Sequence, residues 1–182
     1  MTSQTKSIFE SHLEIMNQYI LNPSTLPTNR SPKWVIKFAG VDGGVDIDAV
    51  KGAFNCYNCS FDFERDLNGQ DTVGAGLKGK AAFILQNNPE TPLMQILSEN
   101  IFSNNVFKTI SIVRLMDSSE KNIQNVFTMS NAKISKLNNN NDLICGEISF
   151  EQINVTDFKI NDSGEQNGKL QSGYNFEKGE VK

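Results

Sequence analysis

The sequence predicts a mainly β protein: a small antiparallel β-barrel of two packed sheets, one internal α-helix at its flank, and an N-terminal amphipathic helix ahead of it. Three observations predict this. From Tyr57 the chain alternates, with Tyr57, Cys59, Phe61 and Phe63 on one face and Asn58, Ser60, Asp62 and Glu64 on the other, the mark of a half-buried antiparallel strand. Strand-length runs rich in apolar residues recur at 34–38, 81–85, 106–116, 123–135 and 143–160, with turn residues between them. Between the first strand and the last, only residues 91–97 carry helical spacing. About six or seven strands and one internal helix favour a closed barrel or a sandwich.

Residues 6–21 read as a helix, with Ile8, Phe9, Leu13, Met16 and Ile20 on one face and Ser11, Glu14 and Gln18 opposite. Asn22-Pro23-Ser24 and Pro27 end it and begin a linker that reaches Pro32. Residues 1–33 are therefore an arm on a tether, free to pack on its own barrel or on a neighbour. The barrel domain spans 34–160. In its first strand Trp34, Ile36 and Phe38 alternate with Val35 and Lys37; Asp42-Gly43-Gly44 turns the chain, and 45–51 is expected to be a second, polar-edged strand. After the alternating strand comes a long loop from Arg65 to Gly79, containing Asn68-Gly69 and three further glycines. The apolar run Ala81 to Leu85 follows, and Asn88-Pro89 breaks it.

Thr91-Pro92 reads as a helix start, a hydroxyl N-cap followed by proline at the first helical position. Leu93, Met94, Ile96 and Leu97 supply the apolar stripe. Residues 106–116 are a β-branched strand, 123–135 the next, and Asn138 to Asp142 an exposed hairpin tip. Residues 143–160 form a long last strand, with Ile144, Ile148 and Phe150 on one face and Gly146 marking a bulge. The remainder, 161–182, is low in hydrophobics and reads as a polar, flexible tail unless a partner orders it.

Composition narrows the functions. With 182 residues, 38% of them hydrophobic, the chain can bury one proper core. A net charge of −4 without a basic stripe argues against nucleic-acid binding. No run has the length of a membrane span and no secretory leader is visible, which argues for no membrane insertion. Three cysteines make no disulfide framework, so a reduced bacterial cytoplasm is the expected setting.

The chemical candidates are weak. Gly74-x-Gly76-x-x-Gly79 spells the dinucleotide fingerprint, but a phosphate-cradling loop must open a helix, and here a strand follows. Cys56-x-x-Cys59 is half a zinc site at most, with only Cys145 and His12 as further soft donors, and cysteines three apart on a regular strand face opposite ways. All three read as buried core thiols. His12 reads as a solvated helix residue, and Glu64 and Asp66 beside Arg65 as solvated charges. Asn154-Val155-Thr156 fits a glycosylation acceptor, which means nothing without a secretory signal. No catalytic, metal or cofactor site is expected, and the chain reads as a building block rather than an enzyme.

Several runs carry a family resemblance: Cys56 to Arg65, then Asn68-Gly69, Val73, Gly76 and Gly79-Lys80-Ala81, and finally Thr91-Pro92-Leu93-Met94-Gln95-Ile96-Leu97. Together they resemble the Hcp (TssD) tube proteins of type VI secretion systems, most closely the divergent branch found in Bacteroidetes. The resemblance covers about residues 34–158, with 106–116, 127–132 and 146–155 matching the later strands in order. It departs around Gly76-Leu77-Lys78-Gly79, where the second glycine of a Gly-Gly pair is replaced; the helix 6–21 is an addition, and the tail after Ile160 follows no family pattern.

The resemblance implies a small barrel with a helix at its flank, assembled into homo-hexameric rings that stack into a hollow tube. A contracting sheath drives such a tube with its spike from a baseplate, and small effectors can ride in the lumen. It also implies export from the cytoplasm through the apparatus without a cleaved signal peptide. In this reading the loop residues Arg65, Asp66, Asn68, Gly69, Asp71, Val73, Gly76 and Lys78 contact the neighbouring ring. Two alternatives stand beside it: a small barrel holding an apolar ligand in its mouth, and a specialised variant that caps the tube or carries an effector.

Overall fold

The computed structural model describes residues 6–26, 34–65, 77–87, 90–116, 119–140, 142–161, 166–176 and 180–181. In chain order these form α1 (Ile8–Leu21), β1 (Trp34–Phe38), β2 (Phe54–Arg65), β3 (Leu77–Gln86), α2 (Leu93–Phe102), β4 (Phe107–Met116), β5 (Ser119–Asn140), β6 (Leu143–Phe150), β7 (Gln152–Ile160), β8 (Gln166–Asn175) and β9 (Glu180–Val181). Every pairing is antiparallel, in the order β4-β1-β2-β3-β6-β5-β7-β8-β9, and a further pairing of β4 with β5 closes the first six strands into a barrel. The predicted fold class is the observed one.

Closure depends on the length of β5. Its first half pairs with β4 on one edge, from Ser119 to Ala132, and with β7 on the other, while its second half pairs with β6 from Lys133 to Asn140. The barrel interior is packed with Phe38, Phe54, Phe83, Ile36, Leu85, Ile110, Ile112 and Met129, all at most 2% exposed. An eight-stranded barrel is already just wide enough to be filled by side chains, so a six-stranded one has no room for a channel of its own. α2 packs against β5 and sends Leu93 and Leu97 into this interior.

The outer faces are covered too. α1 lies over β2, β3 and β6, where Phe9 and Met16 meet Ile84, Leu143 and Cys145. On the far side, Val45, Ile47, Val50 and Ala53 cover Val35, Val113 and Leu115.

The structure corrects several local expectations. A register shift between Cys56 and Asn58 inserts an extra residue in β2, so Tyr57 turns out towards α1, where its ring meets Tyr19 at 6.4 Å. Cys56, Cys59 and Phe61 all pack on the interior cluster. The bulge thus brings the two cysteines to one side, where an unbroken strand would separate them. Residues 45–51 are no strand; they form a loop with a short 3-10 turn at Asp48–Val50, tied back by Val45 N–H to the Ala53 carbonyl at 3.0 Å and Gly52 N–H to the Val45 carbonyl at 2.8 Å.

α2 begins at Leu93, with Pro92 outside it. The Thr91 hydroxyl caps no amide and instead donates to the Asp42 carbonyl at 3.1 Å, joining the helix start to the β1 turn. Asn138–Asn140 continue β5, so the hairpin turn starts later than the polar tract does.

The long last strand is two, β6 and β7, separated by a bend at Glu151, and Gly146 marks no bulge. It pairs in unbroken register with Phe83, whose ring lies on it: a Cβ there would stand 2.8 and 2.9 Å from Cε1 and Cε2 and closer still to Cζ. Ile144, Ile148 and Phe150 do share the interior face. Beyond Ile160, in the segment read as a polar tail, Gln166–Asn175 pair with β7 along their length, and Tyr174 and Phe176 return to the core. The exposed and mostly polar run from Gln166 to Ser172, in which even Leu170 faces solvent, hid that strand.

Candidate functional site

The predicted stacking loop leaves the barrel between β2 and β3. Its ends are held as rungs of a regular ladder, Arg65 opposite Leu77 and Glu64 opposite Lys78. Asp66, Asn68, Gly69, Asp71, Val73 and Gly76 lie outside the described residues. Gly79 sits within β3 rather than at a helix start, and the Phe150 and Phe176 rings occupy the space beside it: a Cβ would meet Phe176 Cζ at 2.9 Å and the Phe150 ring more closely. Packing therefore explains the last glycine of the fingerprint without a phosphate.

At the base of this loop an aromatic ladder reaches the surface. Phe61 stacks on Phe127 at 4.4 Å, Phe63 lies parallel to Phe61 at 6.4 Å, and Phe63 in turn stacks with Phe176 at 6.1 Å. Phe63 remains 53% exposed. It forms one wall of an open apolar groove of about 350 Å³, whose floor is Ile153, Val155, Tyr174 and Phe176 on the β7–β8 extension. Beside it, β8 has a free edge: among the described residues only Tyr174 and Asn175 pair on its outer side, with β9. The half-exposed aromatic, the apolar groove and the unpaired strand edge together make one accessible surface.

The cysteines are not arranged for chemistry. Burial pushes the Cys56 and Cys145 thiols up to about 12 and raises Cys59 well above its ordinary value, so the nucleophilic thiolate is suppressed in all three. All three are free thiols. Among the described residues no three His, Cys, Asp or Glu side chains gather as metal ligands.

His12 is a correction. It is 3% exposed and faces the barrel, because α1 buries Phe9, His12 and Met16 on one stripe. A stripe with spacings of three and four residues passes through position 12, and polarity alone misplaced it.

Among the described residues, three further buried polar residues were not anticipated: Glu147, Asn100 and, at the end of β8, Asn175. Glu147 is 1% exposed on β6; it accepts from the Ser135 hydroxyl at 2.8 Å and sits 3.9 Å from both Lys80 and Lys136. The signal for it was an acid in the middle of the apolar run LICGEISF. Asn100 is 6% exposed on α2, and its Oδ1 accepts from the Ile134 amide at 3.2 Å. Phe107 opposite Ala132 is the last rung between β4 and β5, so Asn100 serves a strand edge that β4 has just left.

No known protein family matches the chain by sequence, and no curated protein matches it significantly. Solved structures do match. A type six secretion system protein aligns with a TM-score of 0.68 at 12% identity, over 82% of this chain and 98% of that one. Hcp1 from Salmonella typhimurium aligns at 0.62 and 14% identity, over 79% and 93%. A type VI secretion system effector from Yersinia pestis aligns at 0.58 and 11% identity, over 78% and 98%. At such identities the likeness is one of fold.

Proposed function

We propose that the chain is a structural, non-catalytic subunit of the inner tube of a type VI-like contractile secretion system, assembling into hexameric rings that stack. The observation that carries this reading is the fold held in common with secretion proteins over nearly their whole length. The filled interior supports it against the ligand-carrying alternative, because Phe38, Phe54 and Phe83 occupy the space a bound apolar molecule would need.

Rings need heterologous joints, one patch meeting a different patch on the next copy. The groove walled by Phe63 and the free edge of β8 are surfaces of that kind. In this reading the loop from Arg65 to Lys78, with Asp66, Asn68, Gly69, Asp71, Val73 and Gly76, reaches the adjoining ring, and its mixed charges set register at modest energy per pair. Sheath, spike and baseplate proteins are the further partners, small effectors in the lumen the cargo, and the apparatus the route out of the cytoplasm.

Export from the native host tests the proposal. The protein is expected in the medium of cells with an intact sheath and absent from the medium when the sheath gene is deleted. Equal release from both strains would refute it. A monomer purified with a bound lipid would favour the ligand-carrying barrel instead.

A further inference from the structure

The seam between α1 and the barrel holds a group that a tube role does not use. His12 is the only histidine in the chain. Its Nδ1 donates to the Ile8 carbonyl at 2.8 Å, which assigns the neutral ring's single proton to Nδ1 and leaves Nε2 bare. Nε2 is buried and has no hydrogen-bond partner among the described residues.

Among the ionisable groups on the elements that α1 covers, Glu147 of β6 lies between Lys80 of β3 and Lys136 of β5 with its Oε2 lacking a hydrogen-bond partner among the described residues, and Lys136 also stands 5.3 Å over the Phe9 ring. What acts on His12 is burial and the Ile8 carbonyl, with no carboxylate. From β2, Tyr57 donates to Gln86 at 3.0 Å. Burial keeps the Cys56 and Cys145 thiols neutral. On α1 itself, Glu10 closes the capping box with Ser7, Glu14 pairs with Lys6, and Tyr19 packs on Tyr57. A proton on Nε2 would therefore place an unpaired N–H and a full charge inside an apolar seam.

We propose that α1 is a proton-released arm, docked on the barrel while His12 is neutral and let go when His12 takes up a proton. Release returns the imidazolium to water and uncovers Ile84, Leu143, Cys145 and Tyr57 as an apolar strip on the outer face of the barrel. The barrel does not need the arm, because no residue of α1 belongs to the interior cluster. The capping box, satisfied within α1, stays with the released segment.

The direction follows from linkage. Burial holds docked His12 below its ordinary 6.5, and the released residue regains that value. Docking is then strongest above 6.5 and weakens as pH falls from 6.5 towards the depressed docked value, by up to about tenfold per pH unit.

Two measurements on the full chain test this. The first is residue-resolved hydrogen exchange at about pH 7.5 and about pH 5.5, across the histidine range, with intrinsic rates divided out. The amides of α1 are expected to lose protection, by up to about tenfold, while those of β3 hold, and His12→Gln to abolish the loss. The second is the proton NMR titration of the single imidazole, expected below 6.5. Unchanged α1 protection, the same loss in His12→Gln, or an imidazole that titrates at 6.5 in the docked chain would each overturn the proposal. Should His12→Gln fail to fold, the wild-type exchange and the wild-type titration decide together.

Discussion

Gly146→Ala tests how the barrel is filled. Gly146 has no positive φ, so space alone demands glycine there. The added methyl would enter the Phe83 ring, which is fully buried and packed edge-on against Phe38 at 6.0 Å, leaving no solvent side into which to retreat. Overpacking of this kind costs about 1–3 kcal/mol. Replacing glycine in a strand returns about 0.5–1 kcal/mol of backbone entropy, so the net loss runs up to about 2.5 kcal/mol. For a chain of this size that lowers Tm by up to roughly 10 °C.

Gly168→Ala is the control. Its nearest neighbours are Lys159 Cδ and Cβ at 3.7 and 3.9 Å, ordinary contact, so it should be neutral or stabilise by up to about 1 kcal/mol. Urea unfolding of both variants, of Phe83→Leu and of Gly146→Ala/Phe83→Leu measures the coupling. The double variant should be more stable than the sum of its parts by about 1 kcal/mol, because a smaller side chain makes room for the methyl. If Gly146→Ala unfolds like the wild type and the double variant is simply additive, the ring-on-glycine packing is wrong.

Two further outcomes follow from the same geometry. Asn100→Ala removes the side-chain acceptor bonded to the Ile134 amide where β5 leaves β4, and should cost about 1–3 kcal/mol in chemical denaturation, against little change for the exposed neighbour Glu99→Ala. Replacing residues 69–76 by a short Gly-Ser linker should leave the melting curve cooperative and near wild type but weaken the stacking of rings seen by negative stain; tubes as long as those of the parent would remove the loop from the stacking contact.

The strand content was legible because the barrel is built from period-two segments. Trp34–Phe38 and Phe107–Met116 turn alternate residues to the common interior, which writes itself into alternation, while Ala81–Leu85 of β3 is buried on both faces and reads as a continuous apolar run. What alternation could not carry was an inserted residue. The shift at Tyr57 exchanges faces within one strand, so Cys56 and Cys59 came out on the same side against the spacing rule. β8 was illegible for the opposite reason: most of it is exposed on both faces, and only its last residues, near Tyr174 and Phe176, bury anything. His12 was misjudged because its burial is a property of the α1 seam, which joins α1 to β6 more than a hundred residues away, and Glu147 was missed because its partners Lys80, Ser135 and Lys136 come from β3 and β5. The groove beside Phe63 likewise joins β2 to β7 and β8, and no local pattern announces it.

The mass of the purified full chain in solution, by light scattering behind a sizing column with negative-stain images of the peak, tests the central claim most directly. A particle of about six copies with annular outlines is the predicted result for heterologous joints that close on themselves. A monomer at high concentration, with no annular particles and a small apolar molecule bound, would contradict it.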